Sequence, residues 1–302
     1  MKIYNLFPLL AGRFNDWHPH LERAASMGFD WVFTNPVQEP GISGSLYSIK
    51  HYHGYNRLLV DEGSGVPPEE QLKSAMAQAN RLGLCMMTDL VINHCAVDSP
   101  LVNEHPEWFR REKSGKVAHP WCMDGKRKVV WGDLARFDHK RSTDAESLYA
   151  FVQKIIGHLV SLGFRGFRCD AAYQLPPALW TRLIAESKTR HGDIVFAAET
   201  LGCTHAQTME TARAGFDHIF NSSKWWDLKS SWLLDQHEET RALCPSISFP
   251  ESHDTLRLFE ELNGNLSAIK LKYLFSAFFS SSVMMPMGFE FGFRKRPHVV
   301  KL

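Results

Sequence analysis

The chain has 302 residues, of which 44% are hydrophobic and 22% charged, and its formal net charge is +1. That is the composition of an ordinary globular protein, and so neutral a balance excludes a strongly basic nucleic-acid binder or an electrostatic membrane anchor. No stretch approaches the roughly 18 consecutive apolar residues of a membrane span, so none is expected.

Taken in chain order, apolar runs alternate with helical patterns. "KIYNLFPLLA" is predicted as a first strand; Asn5 and Pro8 interrupt the run too early for a secretory signal. "WHPHLERAASMG" has helical periodicity and closes on Gly28. "FDWVFTNPV" is a second strand, "PEEQLKSAMAQANRLG" a helix with a proline start and a glycine stop, and "LCMMTDLVIN" a third strand. Residues 94–144 are loop-like and rich in Pro, Trp, His, Lys and Arg, with a short basic patch, "GKRKVV", at 125–130. The helix "AESLYAFVQKIIGHLVSLG" then leads into the strand "FRGFRCDAA". "PPALWTRLIAESKTRHG" leads into "DIVFAAET", and "THAQTMETARAG" into "FDHIFNSS". "KSSWLLDQHEETR" is an amphipathic helix, and "PSISFPESHD" and "SSVMMPMGFEFG" are the last two strands.

Eight strands with helices between most of them predict an α/β fold, a closed (β/α)8 TIM barrel. The barrel is assigned to 1–93 and 145–302, and the excursion at 94–144 to an inserted domain after strand 3. An open doubly wound sheet would carry a glycine-rich phosphate turn after strand 1, and "LLAGRFND" matches that poorly. The eighth helix and any C-terminal β-domain are expected to be missing, since the sequence stops shortly after strand 8.

The six cysteines, at 85, 95, 122, 169, 203 and 244, include no CxxC pair, so a zinc site is not expected. Reduced thiols and a cytoplasmic setting are expected instead, with Cys85 and Cys169 as small buried residues.

In such a barrel the active site lies at the C-terminal ends of the strands. Strand 3 ends in "DLVINH" with Asp89, Asn93 and His94. Strand 4 ends in "GFRCDAA" with Arg168 and Asp170, strand 5 in "AAETLG" with Glu199, and strand 7 in "SFPESHDT" with His253 and Asp254. Four ionisable strand ends at one mouth predict a catalytic site rather than a solvated rim. Arg168 and Asp170 are two apart, so they share a strand face. They read as a plain ion pair or as a catalytic carboxylate kept charged by its neighbour. Two carboxylates flanking a bond suit glycoside hydrolysis, one as nucleophile and one as proton donor. Glu199, among small and apolar residues, suits the donor.

These four stretches, in this order, resemble the signature regions of the α-amylase family of glycoside hydrolases. The resemblance implies Asp170 as nucleophile, Glu199 as acid/base and Asp254 as transition-state stabiliser. It implies substrate contacts from Arg168, His94 and His253, and from Tyr47 in "GSLYSIKHY" as a stacking aromatic. The substrate would be an α-glucan or maltooligosaccharide, cleaved with retention through a covalent glycosyl-aspartate. No cofactor is required. Calcium has two candidate ligands, Asn93 and Asp133, which read equally well as a strand-end residue and a loop cap. Where amylases often carry Lys-His after the nucleophile motif, this chain has Tyr173-Gln174. "NEHPEWFRREKSGKV" is similar to a stretch of maltosyltransferases that use maltose 1-phosphate, which makes glycosyl transfer the alternative to hydrolysis. A non-catalytic amylase-like binding subunit is the remaining alternative, and all three catalytic carboxylates stand against it. Nucleic-acid and membrane partners are not expected, and the oligomeric state is left open. Trp108, Trp121 and Trp131 read as a local core under the long loop or as sugar-stacking residues.

Overall fold

A computed structural model describes residues 1–124 and 127–300. Eight parallel strands lie in the same order in space as in the chain. They are β1 Lys2–Leu6, β2 Trp31–Thr34, β3 Cys85–Leu90, β4 Gly166–Cys169, β5 Val195–Ala198, β6 His218–Phe220, β7 Ser246–Ser248 and β8 Ser282–Pro286. β8 pairs with β1 and closes the barrel. Helices on the outside return the chain between strands, chief among them His18–Ser26, Pro68–Arg81, Ala145–Leu162, Pro177–His191 and His205–Ala212.

Local chemistry explains several element ends. β1 stops at Leu6 because Pro8, with its fixed φ and no N–H, opens the short helix Pro8–Ala11. The helix Ala145–Leu162 ends at Gly163, whose φ is 114°, and a Cβ there would lie 2.9 Å from the Met76 side chain. Gly166 opens β4 inside the barrel, where a Cβ would meet Trp31 at 2.7 Å and Met87 at 2.9 Å.

One long helix, besides several single-turn ones, has no counterpart in the sequence reading. Leu266–Phe279 packs between β7 and β8, yet Leu266, Leu271, Leu274 and Phe278 on it remain exposed. Apolar residues all round leave no periodic stripe to betray a helix. Cys85 also departs from expectation. It is exposed at the start of β3, whereas Cys169 is buried as expected. After β8 a single turn of 3-10 helix, Phe289–Phe291, precedes a segment that runs back over the barrel mouth, and no α-helix follows among the described residues. No helix there is long and apolar enough to cross a membrane.

Alternation along the strands fixes what faces inward. Ile3, Phe33, Met87, Ala197, Ile247 and Met284 fill the interior with Phe220 and Phe249. Two residues further toward the C-terminal ends, the same parity brings Asp89 after Met87 and Glu199 after Ala197; β4 adds Arg168. A plug of apolar side chains therefore lies directly beneath a layer of charge.

Between β3 and the helix Ala145–Leu162, His94–Ala96 pairs antiparallel with Leu134–Arg136, and Trp121–Asp124 with Arg127–Val130. Gly125 and Lys126 of the basic patch lie outside the described residues. Trp108 is buried against His105 and Phe151, as a local core requires.

Candidate active site

Six of the seven expected site residues line one cleft of about 310 Å³ at the C-terminal mouth: Tyr47, His94, Asp170, Glu199, His253 and Asp254. Arg168 lies beneath them, only 5% exposed. Its guanidinium donates to Asp89 Oδ1, and the same Nη1 reaches Asp170 Oδ1 at 3.4 Å. Phe33 and Phe220 lie under it, 5.8 and 5.7 Å from the guanidinium carbon. Asp89, named above among the ionisable strand ends but given no catalytic or binding role, is the principal partner of Arg168. Burial raises its pKa to about 6, while Arg168 acts in the opposite sense.

Tyr47 connects this pair to the far side of the cleft. Its hydroxyl accepts from Asn35 Nδ2 at 2.8 Å and donates to Asp89 Oδ2 at 2.9 Å. With that hydrogen committed, His253 Nε2, 2.9 Å from the hydroxyl, must be its donor. The same Nε2 lies 2.8 Å from Asp254 Oδ2. The Tyr47 and His253 rings stack with 12° between their planes. Asn5 Nδ2 in turn holds Asn35 Oδ1 at 3.1 Å. Asn5 and Asn35 are short polar residues at apolar strand ends, and only the barrel register brings them together.

Glu199 is held by main chain. The Ala171 N–H donates to Oε2 at 2.9 Å and the Leu201 N–H to Oε1 at 2.6 Å. Ala171 takes a left-handed φ of 42° immediately after Asp170. Burial, reinforced by Asp170 and opposed by Arg168 and the two N–H groups, pushes the Glu199 pKa up to about 7. It can thus hold a proton near neutrality while Asp170 sits against a fixed cation. Asp254 behaves oppositely. Burial raises its pKa, but His253, Arg168 and Arg296 outweigh this and bring it to about 2. Its side chain is 58% accessible, so solvent screens much of that attraction.

His94 donates from Nε2 to the Tyr47 carbonyl at 3.1 Å, and burial lowers its pKa. It is therefore a neutral donor whose Nδ1 has no partner. The loop bearing His253 and Asp254 is fastened from below. Arg257, fully buried, donates to Glu251 Oε1 at 2.7 Å and to the Met287 carbonyl at 2.8 Å. Arg296 donates to the His253 carbonyl at 3.3 Å. Among the three tryptophans weighed above, Trp131 reaches the cleft, together with Tyr173, Gln174 and Val299.

The calcium ion that the resemblance allows would lie beside Asn93 and Asp133. The Asn93 Oδ1 is buried without a partner, and Asp133 lines the same cleft. Calcium takes roughly six to eight oxygen ligands. No group of three or more His, Cys, Asp or Glu suited to a metal exists among the described residues. The wall beyond Asn93 adds two oxygen donors, Asp138 and Gln174, but sets Arg110, Arg136 and Lys140 beside them. That donor set is short of oxygen and rich in positive charge, and it does not fit calcium.

Comparison with known proteins agrees with this architecture. A family model described as the glucanotransferase domain of glycogen debranching enzyme matches residues 1–124. The chain is 26% identical over 289 residues to an alpha-1,4-glucan:maltose-1-phosphate maltosyltransferase of Arcanobacterium haemolyticum, covering 89% of this chain and 40% of that protein. It is 25% identical to the Burkholderia pseudomallei protein of the same name, covering 94% of this chain and 25% of the relative. It thus spans less than half the length of either. Among solved structures, an alpha-amylase from Lactobacillus plantarum superposes with a TM-score of 0.79 at 21% identity, covering 99% of this chain and 74% of the other. A maltogenic alpha-amylase from Thermotoga neapolitana gives 0.80 at 22% identity, covering 100% and 70%.

Proposed function

We propose that this chain, which has the α-amylase-family fold and is similar in sequence to maltosyltransferases, is a retaining enzyme acting on the α-glucosidic bonds of α-glucans or maltooligosaccharides. The observation that carries the reading is the pairing of two differently treated carboxyls. Asp170 contacts a fixed guanidinium, and Glu199 is buried with its pKa raised to about 7.

In the first step Asp170 attacks the anomeric carbon, the glycosidic C–O bond breaks, and Glu199 gives its proton to the leaving oxygen. In the second, the Glu199 carboxylate takes a proton from an incoming hydroxyl. That oxygen bonds to the anomeric carbon and Asp170 is released. Asp254 and His253 face the same space and would stabilise the charge developing on the sugar, while His94 and Tyr47 would orient it. Asp89, behind Arg168, acts as a positioning residue. In this reading residues 94–144 are an inserted domain over the barrel of 1–93 and 145–302, in a cytoplasmic protein.

Water in the second step makes a hydrolase, and a sugar hydroxyl makes a glycosyltransferring enzyme. The transfer reading is favoured by the likeness to the two relatives named as maltosyltransferases. Product analysis by NMR separates them. Maltooligosaccharides are offered with and without maltose 1-phosphate, beside a D170N control. Shortening alone means hydrolysis; elongation with phosphate release means maltosyl transfer. Equal silence of wild type and variant on these and other α-glucosides would overturn the reading in favour of a binding subunit.

A further inference from the structure

One wall of the cleft takes no part in the chemistry derived above. Trp131 and Asp133, from the inserted segment, line the same space as Asp170 and Glu199, and so does Asn93 at the end of β3. The backbone around the two inserted residues is fixed at several points. The Trp131 N–H donates to the Pro120 carbonyl at 3.1 Å, and the Trp131 carbonyl accepts from the Leu134 N–H at 3.2 Å. The Asp133 carbonyl accepts from the Val97 N–H at 2.8 Å and from Ser48 Oγ at 3.3 Å. His119 Nδ1 donates to the Leu134 carbonyl at 2.7 Å. On this rigid turn the Trp131 side chain remains 39% exposed. An aromatic face already held in place loses little freedom when a ligand covers it.

The polar groups beside that face lack partners of their own. Among the described residues, no hydrogen bond or ion pair engages the Asp133 carboxylate. Burial lowers the His94 pKa and Asp133 is among the charges that oppose this, so the carboxylate lies close to the catalytic cluster. Asn93 is only 6% exposed, and its amide oxygen is buried without a partner. An unsatisfied buried acceptor costs about 1–3 kcal/mol, which a ligand carrying hydroxyl donors would recover. A flat apolar face flanked by oxygen acceptors suits a neutral polyol ring, which has C–H groups on its face and hydroxyls on its rim. The carboxylate disfavours an anion at the same place.

We propose that Trp131, Asp133 and Asn93 form a second sugar subsite, which holds the glucosyl unit adjoining the one that is cleaved. The indole stacks on the ring face, Asp133 accepts from its hydroxyls, and the Asn93 amide takes a further hydroxyl. Asn93 directly precedes His94, which orients the cleaved unit in the reading above, so the two subsites abut. The inference rests on that α-glucan reading and deepens it, since these three residues make the cleft select an oligosaccharide over a single ring.

Isothermal titration calorimetry in a D170N background, where sugars are held without turnover, tests it. The ligands are maltotetraose and 1-deoxynojirimycin, a mimic of one glucose ring. W131A and D133N are each expected to weaken maltotetraose by about tenfold or more, and 1-deoxynojirimycin by less than about threefold. W131F, which keeps a flat face, is expected to retain most of the maltotetraose affinity. D133N preserves side-chain shape, so it remains informative even where W131A fails to fold. Maltotetraose affinity indifferent to both W131A and D133N, or equal weakening of the two ligands, overturns this inference and leaves the α-glucan reading standing. Absence of maltotetraose binding to D170N itself overturns both.

Discussion

Arg168 and Asp89 stand directly opposite each other on adjacent parallel strands, and the guanidinium engages Asp89 as well as Asp170. Arg168 is therefore anchored from behind before any substrate arrives. Its position is set by the β3–β4 register rather than by the carboxylate it serves.

That anchoring makes D89N a damaging change although Asp89 does not line the cleft. Removing one partner of a buried pair leaves an uncompensated charge and costs about 3–5 kcal/mol. The expected outcome in chemical denaturation is a loss of that order. Any folded D89N should show reduced kcat with little change in KM. Wild-type stability would mean that Asp170 alone suffices to hold Arg168.

Glu199 predicts a pH signature. Its pKa lies near 7 rather than at the ordinary 4.5. Activity on sugars with poor leaving groups should fall as pH rises through about 7, because the proton to be donated is lost. E199Q should lose about 10²–10⁴-fold on such substrates. It should retain far more on an α-glycosyl fluoride, whose departure needs little acid assistance. Equal losses on both substrates would assign Glu199 another role.

The same shift has a consequence for stability. A folded-state pKa above the unfolded value contributes stability that is fully present below about 4.5 and lost as pH rises to about 7. Relative to wild type, E199Q should therefore gain stability across that window. Melting curves of both proteins at pH 4.5 and pH 8 check this, and a constant difference would contradict it.

Tyr47 holds Asn35, Asp89 and His253 through one hydroxyl. Y47F keeps the ring stacked on His253 but strands a buried carboxylate oxygen and an amide. A loss of about 1–3 kcal/mol is expected. A drop in kcat/KM should accompany it, with kcat/KM and thermal unfolding measured on the same preparation.

Much of this was legible in the sequence because the barrel repeats one pattern. Helix stops at glycine and apolar strand runs marked the βα units, and the charged strand ends at Asp170, Glu199 and Asp254 pointed at one mouth. What escaped was set by register or by packing. Nothing in "DLVINH" shows that Asp89 faces Arg168 across two strands. Asn5 and Asn35 look like ordinary strand-end residues until the closed sheet joins them to Tyr47. The Glu251–Arg257 clamp joins its loop to Met287, 30 residues further along the chain. The helix Leu266–Phe279 was missed because it is apolar on all sides.

The most direct test of the central claim is to trap the intermediate. The protein is incubated with a 5-fluoro-α-glycosyl fluoride, digested with protease, and its peptides are weighed and sequenced by mass spectrometry. A single glycosyl adduct on Asp170, absent from D170N, is the predicted result. An adduct on another residue, or turnover by D170N matching wild type, would contradict it.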